Sequence, residues 1–467
     1  MNEKRTRVVQ EKLHQVKEFL EPWRPLVNAH MTNFISQNYW VLLPEGVRTE
    51  ALLLSNHELH DIFWNWGSNP EKFQLPSQIG KFLIDCWNLT LASNYMNDLK
   101  AGHQEYNGLF KGQAKCMSPK KLHEINSLKE VVSCLCESSD ADCVVDVGGG
   151  KGYLGTSLVL DKNINVLSID SKPINTKGAL HIFRSIEASF TSYKDACTEN
   201  GPKSLYRQIT AFVTPETSLR SLASEHLGTK SDYKICLTGL HVCGDLASTC
   251  IELFCKNSDV LSMCNIGCCY NLLTEKFESD IKLEESVNIP GFPMSKYLTD
   301  QCYFLGRNAR MLACQSLDRI CDEKRMMKPN LFWRAVLQVH LERLFGPECD
   351  LTVGRRCSKA TSLMDYLLIA QKYLKKDLQL TEEKVKELAE EMHMFYDSMA
   401  KFYCFRLALA PVVETLIILD KLLYLHEQGV DRAYIYKVFD AVQSPRCHGL
   451  IAVKTPEYGG EQGQSKW

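Results

Sequence analysis

The stretch Cys143-Val144-Val145-Asp146-Val147-Gly148-Gly149-Gly150-Lys151-Gly152, followed by Tyr153-Leu154-Gly155-Thr156-Ser157-Leu158, decides how the rest of the chain is read. An apolar, β-branched run gives way to glycines and then to a helix start, the order of a strand, a tight loop and a helix. Glycine suits such a loop because the backbone must turn sharply and let a ligand approach with no Cβ in the way. A helix opening there also aims free N–H groups at the ligand. Asp170 lies 22 residues beyond Gly148, at the end of a second apolar run, where an acidic side chain can accept both hydroxyls of a ribose.

Working outward, short apolar runs at Cys143–Val147, Ile164–Ile169, Ile209–Val213, Ile235–Leu240 and Val260–Ile266 alternate with helical stretches, as in a doubly wound parallel sheet. Tyr434–Phe439 and Gly449–Lys454 read as two more strands joined around Ser444-Pro445-Arg446, closing the sheet as an antiparallel edge hairpin after a helix stopped by Gly429. Ser118-Pro119 is a favourable cap with proline at the first helical position, opening a helix that leads into the first strand. The expected fold is therefore α/β, a seven-stranded Rossmann-like core. Four segments follow: a helical N-terminal region (1–110), the first part of the core (111–278), a mainly helical insertion after strand five (279–405), and a closing helix with the last strand pair (406–467). An insertion at that point lies on the side where ligands meet the carboxyl ends of strands.

Hydrophobic residues make up 45% and charged residues 24% of the 467, ordinary globular usage that excludes a mostly disordered chain. The formal net charge of −2 supplies no global attraction to nucleic acid, so any basic docking surface has to be local. Two such groups are Lys111, Lys115, Lys120 and Lys121, and Arg355, Arg356 and Lys359. No apolar run follows Met1–Arg5, so no secretory signal is expected and the location is intracellular, cytoplasm or nucleus. The 20 cysteines are then mostly thiols. The apolar run Leu407–Leu423 contains Glu414, Asp420 and Lys421, each costing roughly 2.5–3.5 kcal/mol at a bilayer centre. It reads as a buried core helix and not as a membrane insertion.

Gly150-Lys151-Gly152-Tyr153-Leu154-Gly155 also satisfies G-x-G-x-x-G with Asp170 beyond it, which admits a nicotinamide cofactor. Asp146 at the strand end makes the pattern Asp-x-Gly-x-Gly-x-Gly, that of class I methyltransferases, and a P-loop fails for want of Ser/Thr after Gly150-Lys151. The expected cofactor is S-adenosylmethionine. Asp146, Gly148, Gly150, Gly152 and Asp170 would bind it, with Leu240 and Cys243 from the fourth strand. That strand ends in Leu237–Leu246, facing the transferred methyl, and His241 and Asp245 are its candidate catalytic residues. His241 is either a general base or a brace of the strand-to-helix turn. Tyr270 and Asn271 either line the substrate side or simply pack. A zinc site from Cys243, Cys264, Cys268 and Cys269 has poor ligand spacing, so inert thiols are expected and no metal. The Asn/Asp-Pro-Pro-Tyr/Phe motif that grips an adenine amino group is missing after strand four, which counts against adenine N6 dimethylation.

Several blocks together resemble the methyltransferase-like protein 25 family, which includes a member described as ribosomal RNA adenine dimethylase domain-containing protein. They are Met117–Ile125, Val145–Gly152, Leu240–Leu246, Gly267–Tyr270, Gly291–Ser295, Ala309–Gln315 and Ser444–Arg446. The resemblance implies a class I methyltransferase core and cofactor. Separately, the large helical insertion and N-terminal region suggest a macromolecular substrate, and the basic groups put RNA slightly ahead of protein, with Lys120 and Lys121 as phosphate contacts. The alternative is a non-catalytic binding or scaffold protein that retains the fold and the cofactor. The oligomeric state is not legible.

Overall fold

The computed structural model describes residues 2–100, 117–191, 205–228, 230–277, 290–347, 349, 351, 353–354 and 356–454. Seven strands form one sheet: β1 (Cys143–Val147), β2 (Asn165–Asp170), β3 (Tyr206–Thr210), β4 (Ile235–Cys243), β5 (Val260–Cys268), β6 (Arg432–Lys437) and β7 (His448–Val453), in the order β3-β2-β1-β4-β5-β7-β6. Strands β1 to β5 are parallel, and β7 is antiparallel to both β5 and β6. Of the last two strands, only β7 therefore runs against the sheet, while β6 at the edge points with the first five. This is the class I Rossmann-like architecture.

One expectation slips. The third strand lies three residues earlier than its apolar letters suggest, because β3 is the other edge strand and tolerates Arg207 and Gln208 at half-buried positions. Its anchor is Tyr206, buried and stacked on Phe183 with ring centroids 4.7 Å apart. The run Ala211–Val213 is thereby released from the sheet.

Strand side chains alternate between faces. Val144, Val166, Cys236 and Cys264 join one buried cluster with Leu128 and Val132 of the helix Pro119–Ser138, Leu158 of Tyr153–Lys162 and Phe183 of Pro173–Thr191. Their neighbours Val145, Leu167, Leu237 and Met263 are also buried, and the helices Leu219–Leu227 and Leu246–Lys256 contact β2, and β4 with β5, respectively. The helix Pro119–Ser138 begins as its letters imply, with Ser118 Oγ accepting from Lys121 N and proline in the first turn.

At Gly152 the backbone is left-handed (φ 69°), and a Cβ there would overlap the Tyr206 hydroxyl and crowd Ala179. Gly152→Ala is expected to cost about 2–5 kcal/mol, the sum of left-handed strain and overpacking, measured as a fall in the urea midpoint of the full chain.

The described residues divide into two compact units: 1–17 with 94–306 and 414–467, and 18–93 with 307–413. The first carries the sheet. The second is helical, so the N-terminal region and the insertion, separate in sequence, contribute to one body. Its helices include Asn56–Ser68, opened by a capping box in which Ser55 and Glu58 satisfy each other's backbone N–H groups, and Pro329–Phe345.

The segment Tyr396–Glu427 is apolar and long enough to cross a membrane by length and composition, but 78% of its most apolar window is buried inside the protein. The three charged residues of its Leu407–Leu423 run have built partners. Glu414 accepts from Tyr270 Oη (2.9 Å) and pairs with Arg446 (2.8 Å). Asp420 accepts from Met294 N and Ser295 N, and Lys421 donates to Ser248 Oγ and Gly291 O. Buried charges of this kind are tolerated because each meets its complement.

Candidate functional site

The carboxyl ends of β1 to β4 surround a cavity of about 430 Å³, at the point where the strand order turns from β1 to β4. It is lined by Val147 and Gly148 at the end of β1, by Ile169–Lys172 with Asn175 at and beyond the end of β2, by Ala211–Pro215 after β3, and by His241, Cys243, Asp245, Leu246 and Thr249 at and beyond the end of β4. Gly148, Gly150 and Gly152 all have positive φ (74°, 57° and 69°), which is why the turn is built from glycine.

Asp170 lies in this lining, 9% exposed. Its Oδ2 accepts from Gly150 N (3.0 Å), and its Oδ1 accepts from Lys172 N (2.8 Å) and Asn175 Nδ2 (3.1 Å). The carboxylate thus clamps the glycine loop to the end of β2 and keeps about one of its roughly four acceptor positions for a ligand. Asp146, which the sequence groups with the cofactor contacts, does not line the cavity. It is 1% exposed behind the loop, and burial, with the Asp170 charge second, pushes its carboxyl up to about 7. Gly150 and Gly152 likewise shape the loop without lining the cavity.

His241 and Asp245 both reach the cavity, and both are already held. His241 Nε2 is 2.9 Å from Glu124 Oε1, and Glu124 is fully buried. Ser444 Oγ donates to the same oxygen (2.7 Å), while Lys121 Nζ lies 2.7 Å from Oε2 and Lys120 Nζ 3.6 Å from Oε1. Burial alone would raise the Glu124 carboxyl. The bond to and charge of His241, with Lys121 and Ser444, override this and hold it well below the usual carboxylate range. The backbone of His241 is left-handed (φ 61°), at a bulge where the β4–β5 register slips. Asp245 Oδ1 and Oδ2 accept from Thr274 N (2.8 Å) and Oγ1 (2.7 Å). The geometry supports the bracing reading of His241, and Asp245, a catalytic candidate by sequence, has both carboxylate oxygens engaged by Thr274.

The other sequence candidates lie elsewhere. Leu240 packs against the sheet cluster. Tyr270 is buried, its hydroxyl on Glu414 and its ring 5.6 Å from the Arg446 guanidinium, so it packs and does not face the cavity; Asn271 is outside the lining as well. Lys121, proposed as a phosphate contact, is engaged by Glu124. Lys111, Lys115 and Arg355 lie outside the described residues. Among the cysteines, Cys264 is buried in the core, whereas the sulfurs of Cys243, Cys268 and Cys269 converge within 3.6 Å of one another. The spacing suggests buried thiols, but Cys243 is exposed and Cys269 half-buried, and strand pairing, not sequence distance, brings the three sulfurs together. Contact with the Cys268 thiol first, then with Cys269 and the charge of His241, draws Cys243 down to about 6 against the opposing effect of burial.

Sequence reasoning missed Glu124, Thr274 and Phe212. Glu124 had a signal, being three and four residues beyond two lysines in a helix that caps well. Phe212, 68% exposed at the cavity rim, was hidden inside an expected strand.

The seven-stranded sheet carries its cavity on the glycine loop of its first strand, and residues 120–276 match the family described as "Methyltransferase domain". The chain is also similar to two proteins called "Probable methyltransferase-like protein 25". The Homo sapiens protein is 26% identical over 95% of this chain and 96% of its own length, and the Mus musculus protein is 27% identical over 72% and 75%. The resemblance to methyltransferase-like protein 25 thus extends over most of the chain, and the domain match and the relatives' names support a methyltransferase.

Proposed function

We propose that the protein is an S-adenosylmethionine-dependent methyltransferase acting on a macromolecule, with RNA preferred over protein. The observation that carries the cofactor reading is the juxtaposition of Asp170, the glycine loop and Phe212 around one cavity. These residues fit the cofactor: a carboxylate for ribose hydroxyls, an exposed ring for the flat adenine, and left-handed glycines where the amino-acid end approaches. Bound there, S-adenosylmethionine supplies an electrophilic methyl group. The chain's own part is to orient and exclude water, which can contribute about 7–11 kcal/mol, so few reactive side chains are needed. His241, tethered to Glu124, positions the end of β4 in this scheme.

Asp170→Ala is expected to weaken S-adenosylmethionine binding by roughly ten- to a hundredfold, because both a charge-assisted bond and the clamp on Gly150 disappear. Isothermal titration of the full chain measures it. Unchanged affinity, or binding of NADH in place of S-adenosylmethionine, rejects the assignment.

The RNA preference is supported by a local basic surface in the helical unit, where exposed Arg356 lies 5.0 Å over the Tyr373 ring, near exposed Lys359. Cations beside an exposed aromatic ring suit phosphate and base together. Because Lys121 is engaged by Glu124, Arg356→Glu with Lys359→Glu is the cleaner test. It should weaken RNA binding and reduce the salt slope by about one for each phosphate no longer neutralised, with cofactor affinity unchanged. An unaltered slope, with a methyl mark missing from protein in cells lacking the gene, would favour a protein substrate. If no mark on RNA or protein disappears, the scaffold alternative replaces the enzyme.

A further inference from the structure

Three thiols meet where β4 and β5 end. Cys243 Sγ lies 3.3 Å from Cys268 Sγ and 3.4 Å from Cys269 Sγ, and the latter two are 3.6 Å apart. Regular strands would not produce this. Successive residues of a strand point to opposite faces, so Cys268 and Cys269 would diverge. Cys269 instead adopts a left-handed backbone (φ 51°, ψ 50°), which ends β5 and returns its sulfur beside that of Cys268. On β4, Leu240 pairs with Ile266 and Val242 with Gly267, so His241 is an extra residue. That bulge places Cys243 opposite Cys268; in unbroken register it would face Cys269. Two non-glycine residues thus hold a conformation that costs each roughly 1–2 kcal/mol, and both irregularities serve the same convergence.

We propose that Cys243, Cys268 and Cys269 form a three-thiolate zinc site at the edge of the cavity. With Zn–S bonds of ~2.3 Å, tetrahedral geometry separates the sulfurs by ~3.8 Å, so the cluster needs to open by only a few tenths of an ångström. The ion displaces the three thiol protons to solvent, and the product is Zn(S)3 with a net charge of −1. No electron is transferred. Thiolates select such a soft ion over magnesium or calcium, which prefer oxygen. Cys264 is not a ligand, being buried in the sheet cluster, and His241 Nε2 is already held by Glu124. Three protein ligands leave a fourth position for water or a substrate atom, the pattern of a zinc ion that takes part in chemistry. Cys243 is exposed and lines the cavity, so that position adjoins the proposed methyl-transfer site. The zinc site itself does not depend on the cofactor assignment.

The test is metal content of the full chain purified under reducing conditions, followed by zinc titration against a chromophoric chelator and by cobalt substitution. One zinc per chain is expected, with thiolate-to-cobalt absorption in the near ultraviolet. Cys243→Ser should weaken zinc binding by more than the ~10- to 100-fold that loss of an outer-shell partner costs. Cys302→Ser, at an exposed thiol elsewhere, should leave affinity and absorption unchanged. Circular dichroism checks the fold, and Cys269→Ser serves if Cys243→Ser does not fold. A wild-type chain that binds zinc no tighter than the serine variants, or that takes up copper(I) while leaving zinc unbound, overturns the proposal.

Discussion

Glu124→Ala is expected to destabilise the protein by about 3 kcal/mol, at the low end of the ~3–5 kcal/mol for breaking a buried ion pair. The carboxylate has no exposed surface and is the shared acceptor for His241 and Ser444 and the counter-ion of Lys121. Alanine leaves all three without it. The cost stays at the low end because Lys121 and His241 keep partial access to water. A second signature is pH. The folded-state value of Glu124 is depressed, so its contribution is fully present above the unfolded value near ~4 and is lost as pH falls through the lower folded value. Wild type should therefore lose stability below about pH 4 more steeply than Glu124→Gln, which keeps an acceptor without the charge. Urea unfolding at pH 3–5 reads both effects. Equal slopes would show that the ion pairs around Glu124 contribute nothing net.

Asp146→Asn should change stability in the opposite pH range. The folded value, about 7, lies above the unfolded value near ~3.9, so the folded state holds a proton that the unfolded state has released. The stability contribution is complete below about pH 4 and is lost as pH rises through 7. At about 1.4 kcal/mol per pH unit over roughly three units, the loss approaches 4 kcal/mol as an upper bound. Wild type should weaken between pH 4 and 8, whereas Asp146→Asn, which cannot ionise, should lack that component. Parallel stability curves for the two proteins would mean that Asp146 is better solvated than its burial implies.

These two carboxylates show where reading the letters stops. Asp146 is visible as part of a motif, yet its position behind the loop depends on how β1 and β2 pack. Glu124 belongs to a helix whose cap and charge spacing are legible, but its partners His241 and Ser444 are 117 and 320 residues away. For Tyr270 the letters leave lining and packing equally open. Only its meeting with Glu414 and Arg446 resolves that choice, by giving a buried carboxylate a hydrogen bond and the Arg446 guanidinium a ring face.

What the sequence by itself determined is local: the strand–glycine–helix turn, the Ser118-Pro119 start, the alternation that implies a parallel sheet, and Asp170 at a strand end. Each depends on residues a few positions apart, where backbone conformation and period are set by the letters. Tertiary structure decided what depends on distant pairing. It set the edge position that shifts β3 and frees Phe212, and it joined 18–93 with 307–413 in one unit. It also set the one-residue slip at His241 that aligns Cys243 with Cys268. A register shift changes which side chains face each other without changing any local preference, so it is fixed only when the whole sheet is assembled.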